Sequence, residues 1–210
     1  MKVIAVADLP AAAHLQAIAA CLRADGIIAY PTDTLYGLGC SFFSPAAQAR
    51  LDALKGRSDQ PYSVAVGSVA MLESLAAEIP EAFYERWQKL LPGKFTFLFK
   101  PSPSIDPALL KNSDRIGIRL PGLPPLLHLL AALGLPLVST SANRSGEAPL
   151  NDPRRIAEEF PQLDLLIDGG VLPPSPGSTL VDLAAAPPRI IRRGADLDRA
   201  QALLGGPSRG

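Results

Sequence analysis

Two cysteines and two histidines are all that 210 residues offer in thiols and imidazoles. Cys21 and Cys40 have no C-x-x-C spacing, and His14 and His128 stand alone. Neither a disulfide framework nor a zinc site can be assembled from that inventory. The four residues read as buried thiols and ordinary helix histidines. Net charge is also lacking, since 20 basic residues balance 20 acidic ones. The chain therefore exerts no global pull on nucleic acid, and any polyanion site must be a local patch. No apolar run approaches the ~20 residues of a membrane helix. The opening MKVIAVADLPAAAHLQ carries one lysine and a polar break at Asp8, unlike a signal peptide. The expected setting is the cytoplasm, with no membrane partner. The common nucleotide signatures are missing too: there is no G-x-x-x-x-G-K-[ST], and Gly37-Leu-Gly39 lacks the third glycine of a dinucleotide fingerprint. A turn is the plain reading of that glycine pair.

What the chain does have is a 48% apolar composition, enough for a core, punctuated by 22 prolines and 17 glycines. Asp8 reads as a helix cap, with Pro10 in the first turn, Leu15, Ile18 and Leu22 on one face, and Gly26 as the stop. Residues 26–30 read as a buried strand. Ser44-Pro45 opens a helix that closes near Gly56, Tyr62 to Val66 reads as a strand, and Ser68 caps the next helix. Glu81 to Leu91 reads as one helix. From Lys94 to Lys100 a strand sets Phe95, Phe97 and Phe99 on one face and Thr96 and Leu98 on the other. Arg115 to Arg119 is a strand, Pro124 to Leu133 a Leu-rich helix, and Leu135 to Thr140 a buried strand entering a polar loop. Asp152-Pro153 starts a helix, and strands follow at 163–167, 178–182 and 189–192, then a short helix. No repeat is visible, and the longest linker is the Pro-rich loop 172–177. Interleaved strands and helices imply one α/β domain around a mixed sheet, drawn as residues 1–200 with a polar tail at 201–210.

Chemistry in such a fold gathers at strand and helix ends. Five polar clusters sit there. Tyr30-Pro-Thr-Asp-Thr-Leu-Tyr-Gly-Leu-Gly39 brings the hydroxyls of Thr32, Thr34 and Tyr36 after a buried strand. Lys55-Gly56-Arg57 puts two cations at a helix exit, where helix-dipole compensation alone would account for them. Ser139-Thr-Ser-Ala-Asn143 ends an apolar strand in hydroxyls and an amide that can bind amine, carboxylate or phosphate. Gly177-Ser-Thr-Leu-Val-Asp182 and Ile191-Arg-Arg-Gly194 complete the set. Each one singly is compatible with a capped turn.

In order, Y-P-T-D-T-x-Y-G-L-G, K-x-R, S-x-N, G-S-T-x-V-D and R-x-G resemble the YrdC-like family, from about Gly26 to Gly194. Its characterised members are threonylcarbamoyl-AMP synthases. The resemblance implies a twisted mixed sheet with flanking helices and a concave basic cavity. It also implies a nucleotidyltransferase that uses L-threonine, bicarbonate or CO2, and ATP. The adenylate then goes to downstream threonylcarbamoyl-transfer proteins that modify adenosine 37 of ANN-decoding tRNAs. Matched to the family, Lys55 and Arg57 are the expected catalytic cations at ATP, with Ser141, Asn143 and Arg192 also binding the nucleotide. Thr34, Arg119, Ser139 and Ser178 fall at L-threonine positions. Mg2+ is expected to come with ATP, and no protein-held metal or tight cofactor is implied. The chain departs from relatives in reading Pro92-Gly-Lys-Phe-Thr96 for P-G-P-x-T and Arg192-Arg-Gly194 for R-P-G. It also lacks a histidine after K-x-R, and its length matches the short family form. A non-synthase paralogue, and a module binding tRNA or double-stranded RNA through Arg115, Arg119, Arg189, Arg192 and Arg193, are the alternatives.

Overall fold

The computed structural model describes residues 1–56 and 60–204. The strands are β1 (Lys2–Ala5), β2 (Ile28–Pro31), β3 (Tyr36–Gly39), β4 (Ser63–Ala65), β5 (Ala76–Ala77), β6 (Phe95–Pro101), β7 (Ile116–Arg119), β8 (Leu137–Ser141), β9 (Leu165–Asp168), β10 (Thr179–Asp182) and β11 (Arg189–Arg192). The helices are α1 (Ala12–Arg23), α2 (Pro45–Lys55), α3 (Val69–Leu75), α4 (Glu81–Glu85), α5 (Pro124–Leu133), α6 (Pro153–Glu159) and α7 (Leu197–Leu204). The boundary drawn at residue 200 therefore falls inside α7.

Local chemistry sets most of these limits. Ser44 accepts the Ala47 amide with Pro45 in the first turn of α2, and Gly56 ends the helix at φ 67°. Ser68 caps α3 through the Met71 amide, and Asp152 caps α6 through the Arg154 amide. Three elements differ from the sequence reading. Asp8 lies in a 3-10 turn, Val6–Asp8, and its carbonyl accepts the Ala11 amide, so α1 begins without a side-chain cap. The segment 81–91 breaks at Arg86 (φ −128°) into α4 and a 3-10 turn at Trp87–Leu90. Gly37 and Gly39 are not in a turn but in strand β3, because the Tyr30 ring lies flat against them. A Cβ on Gly39 would sit 2.8 Å from that ring and 2.5 Å from the Val138 carbonyl.

The strands form one twisted mixed sheet in the order β1-β9-β2-β3-β8-β4-β7-β6-β10-β11, with β5 flanking β6. Four pairs are parallel (β1/β9, β2/β9, β4/β7, β6/β10) and the others antiparallel. Helices α1 and α5 bury Ile18, Leu22, Leu126, Leu129 and Leu130 on one face, against Ile28, Tyr30, Ala65 and Leu137. A larger core fills the opposite face. There Phe97 and Phe99 meet Phe83, with Phe95 and Trp87 against Phe97, at ring distances of 5.4 to 6.4 Å.

Phe97 sits at the hub of this aromatic cluster. Phe97→Ala is expected to lower stability by about 3–5 kcal/mol in denaturant unfolding, through the cavity it leaves.

Candidate functional site

Strand periodicity builds the site floor. Because Phe95, Phe97 and Phe99 point into the core, Thr96 and Leu98 point to the other face. Pairing carries that face across the sheet: Leu98 stands opposite Gly117, Gly117 beside Ser63, Ser63 opposite Ser139, and Gly37 opposite Ser141. Helices α1 and α5 cover only part of this face. The remainder is a cavity of about 610 Å³, lined by residues that include Thr32, Thr34, Tyr36, Arg115, Arg119, Ser139, Ser141, Ser178 and Arg192. Eight of the eleven residues expected at the site line this one space. Its described charged lining residues are all arginines: Arg115, Arg119 and Arg192.

The first motif forms a tight hydroxyl turn. Thr32 Oγ1 accepts the amides of Thr34 and Leu35, donates to the Leu35 carbonyl at 2.7 Å, and lies 3.1 Å from Thr34 Oγ1. Tyr36 turns its phenol away, donating to the Gly170 carbonyl at 2.8 Å and accepting the Gly169 amide at 2.9 Å. Burial pushes the Tyr36 phenol up to about 12, so it stays protonated and binds the motif to the 168–170 turn.

At one end of the cavity Arg119 donates from Nη2 to Asp33 Oδ1 at 2.6 Å, with Thr34 Oγ1 at 3.5 Å. The pair is almost enclosed, at 10% and 9% side-chain exposure. Asp33 Oδ2 also accepts the Gly122 amide at 2.9 Å. Arg119 Nε is buried with no acceptor. Next to it, Thr96 Oγ1 and Ser178 Oγ lie 2.8 Å apart, and Arg192 donates to Ser178 Oγ and to the Ser178 carbonyl at 3.0 to 3.2 Å. Burial, and then the facing charge of Arg119, push the Arg192 guanidinium below its ordinary range. The R-x-G spacing has a steric cause: a Cβ on Gly194 would meet the Ser178 carbonyl group at 2.4 Å.

Lys55 and Asn143 do not line the cavity. The Lys55 ammonium is buried, with 2% residue exposure, and donates to the Ser141 and Asn143 carbonyls at 2.7 and 2.6 Å. Ser141 Oγ donates to Asn143 Oδ1, and Asn143 Nδ2 donates to the Arg144 and Glu147 carbonyls. Lys55 thus holds the S-x-N loop in shape from behind. Arg57 lies outside the described residues. Thr96 in the lining and Asp33, which stands behind Arg119, were not singled out in the sequence; Arg115, named there only for an RNA-binding face, also lines the cavity, flanked by Asp114 and Asp182. Strand alternation already turned Thr96 toward this face. Asp33 lay inside the first motif, but nothing local distinguishes it from a turn former. Burial raises the Cys40 thiol to about 12 and raises Cys21 as well, so neither offers a thiolate. Among the described residues no group of three or more His, Cys, Asp or Glu could hold a metal. None of their helices is long and apolar enough to cross a membrane.

Comparison with known proteins gives consistent relatives. A family model for Sua5, YciO and YrdC, described as "Telomere recombination", matches residues 20–194. Threonylcarbamoyl-AMP synthase of Rattus norvegicus is 37% identical over 202 residues, spanning 91% of this chain and 71% of its own. The Pyrococcus abyssi threonylcarbamoyl-AMP synthase is 31% identical over 175 residues, spanning 82% of this chain and 52% of its own. Among solved structures, P. abyssi Sua5 complexed with L-threonine superposes with a TM-score of 0.85 at 29% identity, over 91% of this chain. This chain spans 57% of that protein's length. E. coli YciO superposes with a TM-score of 0.80 at 28% identity, covering 88% of this chain and 91% of its own.

Lys55→Met removes the donor that holds two loop carbonyls. It is expected to cost about 1–3 kcal/mol and to weaken nucleotide binding more than amino-acid binding in calorimetric titrations. Equal loss for both ligands would place the effect elsewhere than in the S-x-N loop.

Proposed function

Because the chain belongs to the Sua5/YciO/YrdC family, we propose that it is a threonylcarbamoyl-AMP synthase. It is a nucleotidyltransferase that joins L-threonine, bicarbonate or CO2, and ATP, and releases pyrophosphate. The observation that carries this reading is the convergence of four of the five polar motifs on one open sheet face, with hydroxyls and arginines lining a single cavity.

The threonine amine first takes up CO2 to give an N-carboxylate. That carboxylate attacks the α-phosphorus of ATP, and the bond to the pyrophosphate oxygen breaks. Arg119, which lines the cavity, takes the amino-acid carboxylate. Thr34, Ser139 and Ser178 supply hydroxyls around the same ligand, and the Thr32 turn keeps Thr34 in place. Arg192 offers its charge to the phosphates, where negative charge moves as pyrophosphate departs. Ser141 receives the nucleotide from the cavity wall, Asn143 is proposed to join it from the loop that Lys55 holds in shape, and Arg57 is proposed to join the phosphate-binding cations. The charged lining side chains are arginines, donors that suit phosphate oxygens rather than a cation. Magnesium would therefore reach the site on the triphosphate. The adenylate, a reactive mixed anhydride, would pass to a protein that transfers the threonylcarbamoyl group to tRNA in the cytoplasm.

Pyrophosphate release by the purified protein is expected to need ATP, L-threonine and bicarbonate together. Release without threonine dependence, from folded protein, would overturn the assignment and favour a non-synthase member of the family. Arg119→Lys keeps the charge but loses the planar fork. It is expected to raise the KM for threonine by about tenfold or more and to leave the KM for ATP nearly unchanged in the same assay.

A further inference from the structure

A single cavity that takes both a zwitterionic amino acid and a polyanionic triphosphate has a sorting problem. Its arginines attract phosphate more strongly than they attract one carboxylate. The surroundings of those arginines differ. Arg192 is held by the carbonyl and hydroxyl of Ser178 and, among the described residues, has no carboxylate in ion-pair contact. Arg119 is locked at 2.6 Å to Asp33, and both are nearly enclosed. Asp33 is itself fixed by the Gly122 amide, so it cannot swing aside when a ligand arrives.

We propose that Asp33 is the specificity-determining residue that reserves the Arg119 end of the cavity for the amino acid and excludes phosphate from it. This rests on the synthase reading above. The carboxylate of Asp33 cancels the net charge of Arg119 at the distance from which a ligand sees it, while leaving Arg119 Nε as an unfilled hydrogen-bond donor. An amino-acid carboxylate brings only one negative charge, offset by its own ammonium. A phosphate group brings more charge, has no cationic end, and is repelled by the Asp33 carboxylate that stands 2.6 Å behind the Arg119 guanidinium. Low exposure makes the repulsion poorly screened. Arg192, without a carboxylate partner, remains the attractive end for phosphates. Asp33 does not touch the reacting atoms; it acts through Arg119 and by its charge.

Calorimetric titration of the full chain with L-threonine and with pyrophosphate tests this without requiring turnover. In the wild-type protein pyrophosphate is expected not to displace threonine. In Asp33→Asn, which keeps the shape and removes the charge, threonine affinity is expected to fall by about tenfold, because Arg119 loses the charge-assisted contact that fixes it for the amino-acid carboxylate. Pyrophosphate binding is expected to strengthen by a similar factor, and pyrophosphate should then displace threonine. A purely structural role for Asp33 would weaken both ligands together and overturn the proposal. So would competition between pyrophosphate and threonine already in the wild type, a measurement that stands if the variant fails to fold. If the wild type binds no threonine while Asp33→Asn still gains pyrophosphate affinity, the synthase reading fails and the charge exclusion stands. If neither happens, both fall.

Discussion

The two-residue period of a β-strand is the constraint on which this molecule depends. Strand β6 has to serve a core and a cavity at once, and it does so by alternation, with three phenylalanines on one side and Thr96 and Leu98 on the other. Strand β7 repeats the device: Ile116 and Ile118 are buried in the core, while Gly117 and Arg119 border the cavity. A register slip by one residue would send the arginine into the aromatic cluster and the isoleucines into the site. Correct pairing of the central strands therefore creates the binding face and the hydrophobic core in the same event.

Much of this was legible in the sequence, for identifiable reasons. The helix at Pro124–Leu133 is bounded by a proline at its start and a glycine at φ 63° just past its end, signals that are local and strong. The facing of β6 followed from alternation alone. What could not be read locally depends on partners distant in the chain. Strand β1 is four residues long and exists because it pairs with β9, more than 160 positions later. Strand β3 looked like a glycine turn because the reason for its glycines, the Tyr30 ring and the Val138 carbonyl, lies on other strands. The same holds for the site. The five clusters identified where chemistry gathers, but not that Lys55 would face the loop carbonyls instead of the cavity. Nor did they identify Asp33 as the partner of an arginine 86 positions away.

Family membership and the physical reading meet at the departures as well. Lys94, one of the departures noted from the sequence, has its ammonium 3.7 Å from Asp196, and its carbonyl accepts the Thr179 amide. The substitution thus sits at the join between β6 and β10 and leaves Thr96, the residue that reaches Ser178, in place. Arg193, the other departure noted, lies between Gly194, which passes against Ser178, and Arg192, which rests on it.

The half-covered sheet face has a consequence for how such a protein can change over generations. Side chains on the cavity rows, such as Thr96, Leu98 and Leu180, border open space, while their immediate neighbours in sequence are locked in the interior. Drift at the first set alters what the molecule recognises at little cost to folding, and drift at the second is purged by instability. One scaffold can in this way be handed from substrate to substrate without ever being rebuilt.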